Sequence, residues 1–186
     1  MPDVTRSISI PLGVVIAREE VESPWLDQLV RPAAVIVGDP GIEVGAIVHR
    51  EPGCLHTFAG TFELELHRRE TEAYRVNLAN QEPSVYVVAH ETDDDESQQS
   101  NAPALEIHLV TVSAFEAQDY LDTGEDIVEA LTMPETLVAW VQRFIDMHHV
   151  EEKFIKRRRD KVDLSEQKFG KEPIFATTNR PGRRNG

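Results

Sequence analysis

Apolar and polar residues alternate in several short stretches of the chain. In TFELELH (61–67), Phe62, Leu64 and Leu66 fall on one face, against Thr61, Glu63, Glu65 and His67 on the other. That period of two predicts a half-buried strand. YRVNL (74–78) alternates in the same way, with Tyr74, Val76 and Leu78 opposed to Arg75 and Asn77, and predicts another strand. NQEP (80–83) reads as a turn, and SVYVVAH (84–90) as a more fully buried strand. LEIHL (105–109) alternates again, and weaker strand patterns cover 8–18, 32–37 and 127–131. Short turns between neighbouring strands favour antiparallel pairing. The expected fold class is therefore α+β: an antiparallel sheet or open barrel of about seven strands, with a short helix and a C-terminal covering helix.

Both helices have start signals. Ser113 and Glu116 form an S-x-x-E capping box ahead of a short helix at 114–121, and Gly124 stands just past its end. Thr132 and Glu135 form a second box, with Pro134 in the first turn, where a missing N–H costs nothing. From there Met133, Leu137, Trp140, Phe144 and Met147 recur at helical spacing, an apolar stripe that predicts a helix over 133–149 docked on the sheet with Trp140 buried. DPG (39–41) reads as a turn, and ETDDDESQQSNAP (91–103) as a solvated acidic loop.

Charge divides the chain. The whole carries 19 Lys and Arg against 33 Asp and Glu, a net of −14. Residues 151–186 hold 11 of those basic and 6 of those acidic residues, which leaves 8 and 27 in residues 1–150. We therefore expect a single α+β domain at 1–150 and a basic, largely flexible C-terminal tail at 151–186. An acidic body argues against a nucleic-acid or anionic-membrane binder. No stretch approaches the roughly 20 apolar residues of a membrane span, and no signal-peptide pattern opens the chain, so the expected address is cytoplasmic.

Candidate chemistry is sparse. Adjacent helical residues point about 100° apart, so His148 and His149 do not converge on one ion. His148 with Glu151 and Glu152 is the better-spaced set, although a helix-end histidine beside solvated glutamates is the plainer reading. His149 lies off the apolar stripe and is expected at the surface. HETDDDE (90–96) offers oxygens to a hard cation but has no glycine to turn a calcium loop. Cys54, the one cysteine, excludes an intrachain disulfide and reads as a small core residue. GDPGIEVG (38–45) lacks the spacing and the lysine of a phosphate cradle, and no hydrolase or zinc-protease motif occurs. No cofactor and no metal are expected.

Three blocks carry a resemblance: LHRRETEAYRVNLANQEPSVYVV (66–88), VTVSAFEAQDYLDTGEDIVEALTMPETLVAWVQRF (110–144) and HHVEEKFIKRRR (148–159). Together they resemble a proteobacterial family known as domain of unknown function 3305, whose genes commonly sit beside molybdenum-dependent formate dehydrogenases. Some members have been labelled molybdopterin-guanine dinucleotide biosynthesis proteins. SISIPLGVVIARE (7–19) has one glycine and no nucleotide loop, which does not support that label. The resemblance implies a non-enzymatic accessory protein for formate dehydrogenase assembly or operation, with that enzyme or its maturation factors as protein partner. A molybdenum-cofactor enzyme and a metal-binding module are the alternatives. The expected partner-binding residues are Glu70, Tyr74, Arg75 and Asn77, with Lys156, Arg157, Arg158 and Arg159 as an electrostatic arm.

Overall fold

The structure is a computed structural model that describes residues 7–25, 28–92 and 105–150. The expected acidic loop beyond Thr92, the tail at 151–186, the arm Lys156–Arg159, and Glu151 and Glu152 lie outside the described residues.

Seven strands form two open antiparallel sheets. The first contains β1 (Ser7–Glu20), β2 (Gln28–Val37), β3 (Ile47–Glu51) and β4 (Cys54–His67), in the order β2-β1-β4-β3. β1 and β4 are long and pair over most of their length, from Ser7 opposite His67 to Glu19 opposite Cys54. Every residue of β3 is exposed, so it carries no alternation that a sequence reading could detect. Gly13 lets β1 and β4 close up, since a Cβ there would stand 2.9 Å from the Phe58 ring. The second sheet places β5 (Ser84–Glu91) between β6 (Leu105–Thr111) and β7 (Ile127–Thr132).

One core joins the two sheets. Leu12, Val14 and Ile16 of β1 meet Leu64 and Leu66 of β4, Val85, Val87 and Ala89 of β5, and Leu131 of β7. β6 contributes Leu105 and Ile107 at its start but Val110 near its end, a change of phase along the strand. A bulge causes it: Val88 pairs with Leu109 and Ala89 with Ile107, which leaves His108 as the extra residue.

YRVNL is helical, which corrects the strand expected there. After a 3₁₀ turn at Arg68–Glu70, α1 spans Thr71–Leu78 and buries Thr71, Ala73, Tyr74 and Asn77. Five alternating residues contain i, i+3 and i, i+4 pairs as well as a period of two, so the motif is too short to discriminate. Burial of Asn77 decides it, because the outward face of a strand would have left that side chain in water.

α2 (Ala114–Thr123) starts where expected: Ser113 Oγ accepts from Glu116 N at 3.2 Å, and Gly124 closes the helix with φ 69°. Only half of the box forms, since the Ser113 N–H donates to Thr111 Oγ1 instead. α3 spans Glu135–His148 and does not use its expected box. Thr132 ends β7, and the Pro134 carbonyl accepts the first helical N–H groups, from Leu137 and Val138. The buried stripe of α3 is Leu137, Val141, Phe144 and Ile145. This is a correction by about one residue around the helix. Trp140 is only partly buried, and Met147 is 58% exposed.

α2 lies against β5, β6 and β7. It covers the face of the second sheet opposite the core, where Val88 and Ala117 are fully buried. No helix among the described residues is long and apolar enough to cross a membrane.

Candidate functional site

Two clusters of histidine and carboxylate stand apart in the fold. One closes the junction of α1 and α3; the other lies at the end of the second sheet.

At the junction, the last turn of α3 delivers His149 onto α1. Its side chain is 14% exposed, so the surface position expected for it is corrected. The His149 Nε2 lies 2.6 Å from Arg75 Nη1, and its Nδ1 lies 3.0 Å from Thr71 Oγ1. A guanidinium only donates, so Nε2 is the acceptor and the proton sits on Nδ1. Thr71 accepts that proton's hydrogen bond and turns its own hydroxyl toward the Arg68 carbonyl, 3.4 Å away. Arg75 also pairs with Glu72 at 3.3 Å. Every polar atom of the imidazole thus has a partner.

The neighbouring side chains are just as fully used. Asn77 Nδ2 donates to the carbonyls of Ser84 (2.7 Å) and Val112 (2.8 Å), while Asn77 Oδ1 accepts from Ser84 N at 2.9 Å. One buried amide therefore fastens α1 to the start of β5 and the end of β6. Tyr74 Oη accepts from His67 N at 2.9 Å and faces Glu70 Oε2 at 3.5 Å. Burial is the main cause pushing the Tyr74 phenol well above its ordinary pKa, so it remains a neutral donor.

These contacts redistribute the residues expected to bind a partner. Tyr74 and Asn77 are interior side chains and hold the fold together, so neither presents itself to a partner. Glu70 remains half-buried beside Tyr74, and Arg75 is exposed. His148 packs edge-on against Phe144 at 4.6 Å.

The second cluster was not singled out from the sequence. His90 is near the end of β5, His108 is the bulged residue of β6, and Asp126 precedes β7. The pairing of Ala89 with Ile127 carries on to set Asp126 opposite His90. His108, next to core-facing Ile107, lies on the same side, where its ring stacks on His90 at 4.5 Å and 22° and lies 5.4 Å from Tyr120 of α2. His90 Nδ1 is 2.9 Å from Asp126 Oδ1, and His108 Nε2 is 3.7 Å from it. The Asp126 side chain is 7% exposed, yet its Oδ1 makes no aligned hydrogen bond. One ligand atom from each of the three residues lies within 4.8 Å of the others. Available signals were the phase change after Ile107, which marks a bulge, and the placing of His90 and Asp126 at strand ends.

Residues 11–158 match the model of a family described as a protein of unknown function, DUF3305. The chain belongs to that family. Both clusters fall within the matched residues. No curated protein and no solved structure matches the chain.

Elsewhere, Cys54 is half-buried at the start of β4 and lines a shallow hollow with Arg18, Arg50 and Glu51. Trp25, in the segment between β1 and β2, is 92% exposed.

Proposed function

We propose that the protein is a non-enzymatic accessory protein of the cytoplasm that docks a protein partner on the outward side of α1 and α3. The observation behind this reading is an exposed apolar surface beside a basic residue. Val76 is 40%, Met147 58% and Val150 76% exposed. The contact of Arg75 with His149 brings the two helix segments that carry these residues together. Isolated apolar residues on a surface need no explanation, but several on two segments that meet at an arginine fit the anchor of an interface. Just past Val150 the sequence runs into Lys153, Lys156, Arg157, Arg158 and Arg159, which would steer an acidic partner surface toward the anchor.

The sequence resemblance supplies the proposed partner: a molybdenum-dependent formate dehydrogenase or one of its maturation factors. The test is direct binding between the full chain and a purified molybdenum-dependent formate dehydrogenase. Met147→Asp together with Val150→Asp should weaken that binding about tenfold or more, while the far-UV circular dichroism stays unchanged. Charge reversal of Arg157, Arg158 and Arg159 should weaken it further at low salt, with the effect fading as salt rises. Binding that both sets of variants leave intact would refute the docking face.

A further inference from the structure

We propose that His90, His108 and Asp126 form a binding site for one divalent transition-metal cation of the zinc class. Nothing in the docking reading depends on this site, which lies at the end of the second sheet.

The strongest observation is the orphaned oxygen. A buried carboxylate oxygen without a hydrogen bond is costly and therefore rare in a native fold. Asp126 Oδ1 is in that state although two imidazoles stand beside it, at 2.9 and 3.7 Å. Both rings turn a nitrogen toward the oxygen, yet neither is aligned as a hydrogen-bond donor. Two nitrogens gathered about an oxygen without a hydrogen bond to it are what a shared cation would organise.

The dimensions suit that cation. Bonds of about 2.0–2.1 Å to nitrogen and oxygen give a tetrahedron whose ligand atoms are about 3.3 Å apart. The two oxygen–nitrogen separations, 2.9 and 3.7 Å, bracket that edge, and all three ligand atoms lie within 4.8 Å of one another. The donor set, two imidazole nitrogens and one carboxylate oxygen, selects against calcium and magnesium, which take six or more oxygens. A bound cation would take both imidazoles as ligands and offset the charge of the carboxylate.

The backbone supports the geometry in two ways. The pairing of Ala89 with Ile127 brings His90, one residue on, beside Asp126, one residue before β7, and His108 lies on the same face because its neighbour Ile107 faces the core. His108 is also the extra residue of the β6 bulge, and bulges are common next to functional sites. Three protein ligands leave a fourth position, and the half-exposed His90 ring indicates that it opens to solvent. A water or an incoming donor would fill it.

The experiment uses the tag-free full-length chain, stripped with a chelator and titrated with Zn²⁺, with metal content measured after dialysis. We expect one Zn²⁺ per chain, undiminished by excess Ca²⁺. His90→Ala, His108→Ala and Asp126→Asn should each weaken binding at least tenfold, whereas His148→Ala and Cys54→Ser should not. Co²⁺ in the same site should show the intense visible bands of a four-coordinate ion. Sub-stoichiometric zinc in the native chain would overturn the proposal. So would zinc displaced by Ca²⁺, weak octahedral Co²⁺ bands, or binding that survives in a His90→Ala/His108→Ala double variant.

Discussion

The two histidine clusters use the same chemical groups and end in opposite conditions. At the α1–α3 junction, His149 has a donor on one nitrogen and an acceptor on the other, and the adjacent Asn77 satisfies three backbone groups. At the end of the second sheet, two imidazoles crowd a carboxylate oxygen that neither satisfies. The first cluster is a structural joint, closed within the protein. The second is complete only with something added. A buried polar group with every partner present stabilises the fold, whereas one held without partners costs stability and points toward function.

That contrast predicts opposite signs for removal. The largest effect belongs to Asn77→Ala, which strands the carbonyls of Ser84 and Val112 and the N–H of Ser84. It should cost about 3 kcal/mol or more, read from urea unfolding with an unchanged slope. Zinc binding to the open cluster comes next. At a hundredfold excess over the dissociation constant it should stabilise the fold by about 2.7 kcal/mol, seen as a rise in Tm that Asp126→Asn abolishes. His149→Ala removes two hydrogen bonds between helices and should cost about 1–2 kcal/mol. Smallest is Asp126→Asn in the metal-free chain, which should be neutral or stabilising by up to about 1 kcal/mol, because it removes a buried carboxylate whose Oδ1 makes no hydrogen bond. A clear loss of stability there, matching that of His149→Ala, would erase the distinction between the clusters.

Element positions survived the passage from sequence to structure better than the details of burial within them. The strands at 61–67, 84–90 and 105–109, the short helix behind Ser113 and the last helix all occupy the expected segments. Each rests on burial along one face or on a local cap, and both leave marks in the residues themselves. YRVNL misled because its polar Asn77 is buried by tertiary hydrogen bonds that no local pattern records. Trp140 misled differently. Its stripe and the true one through Val141 and Ile145 are neighbouring rows of the same helix, and the sheet chose between them. Thr132 shows the same limit, since strand pairing with Ser84 claimed the residue before it could cap α3.

Of the residues expected to dock a partner, Arg75 is exposed, whereas Tyr74 and Asn77 belong to the interior; the proposed face uses exposed Val76, Met147 and Val150 in their stead. The metal cluster could not be read from spacing. Its members are 18 residues apart in each step, from His90 to His108 to Asp126, and only cross-strand register and a bulge bring them together. Metal motifs detectable in sequence place their ligands on one helix or one loop, and this one draws on two strands and the residue before a third.

The most direct test of the contrast follows the histidine side chains themselves by two-dimensional ¹H–¹⁵N NMR while Zn²⁺ is added to the full chain. The account predicts that the ring nitrogens of His90 and His108 shift as the metal binds, saturating at one equivalent. His149 should hold the signature of a neutral ring protonated at Nδ1 throughout. Zinc-dependent shifts at His149, with His90 and His108 unmoved, would contradict it.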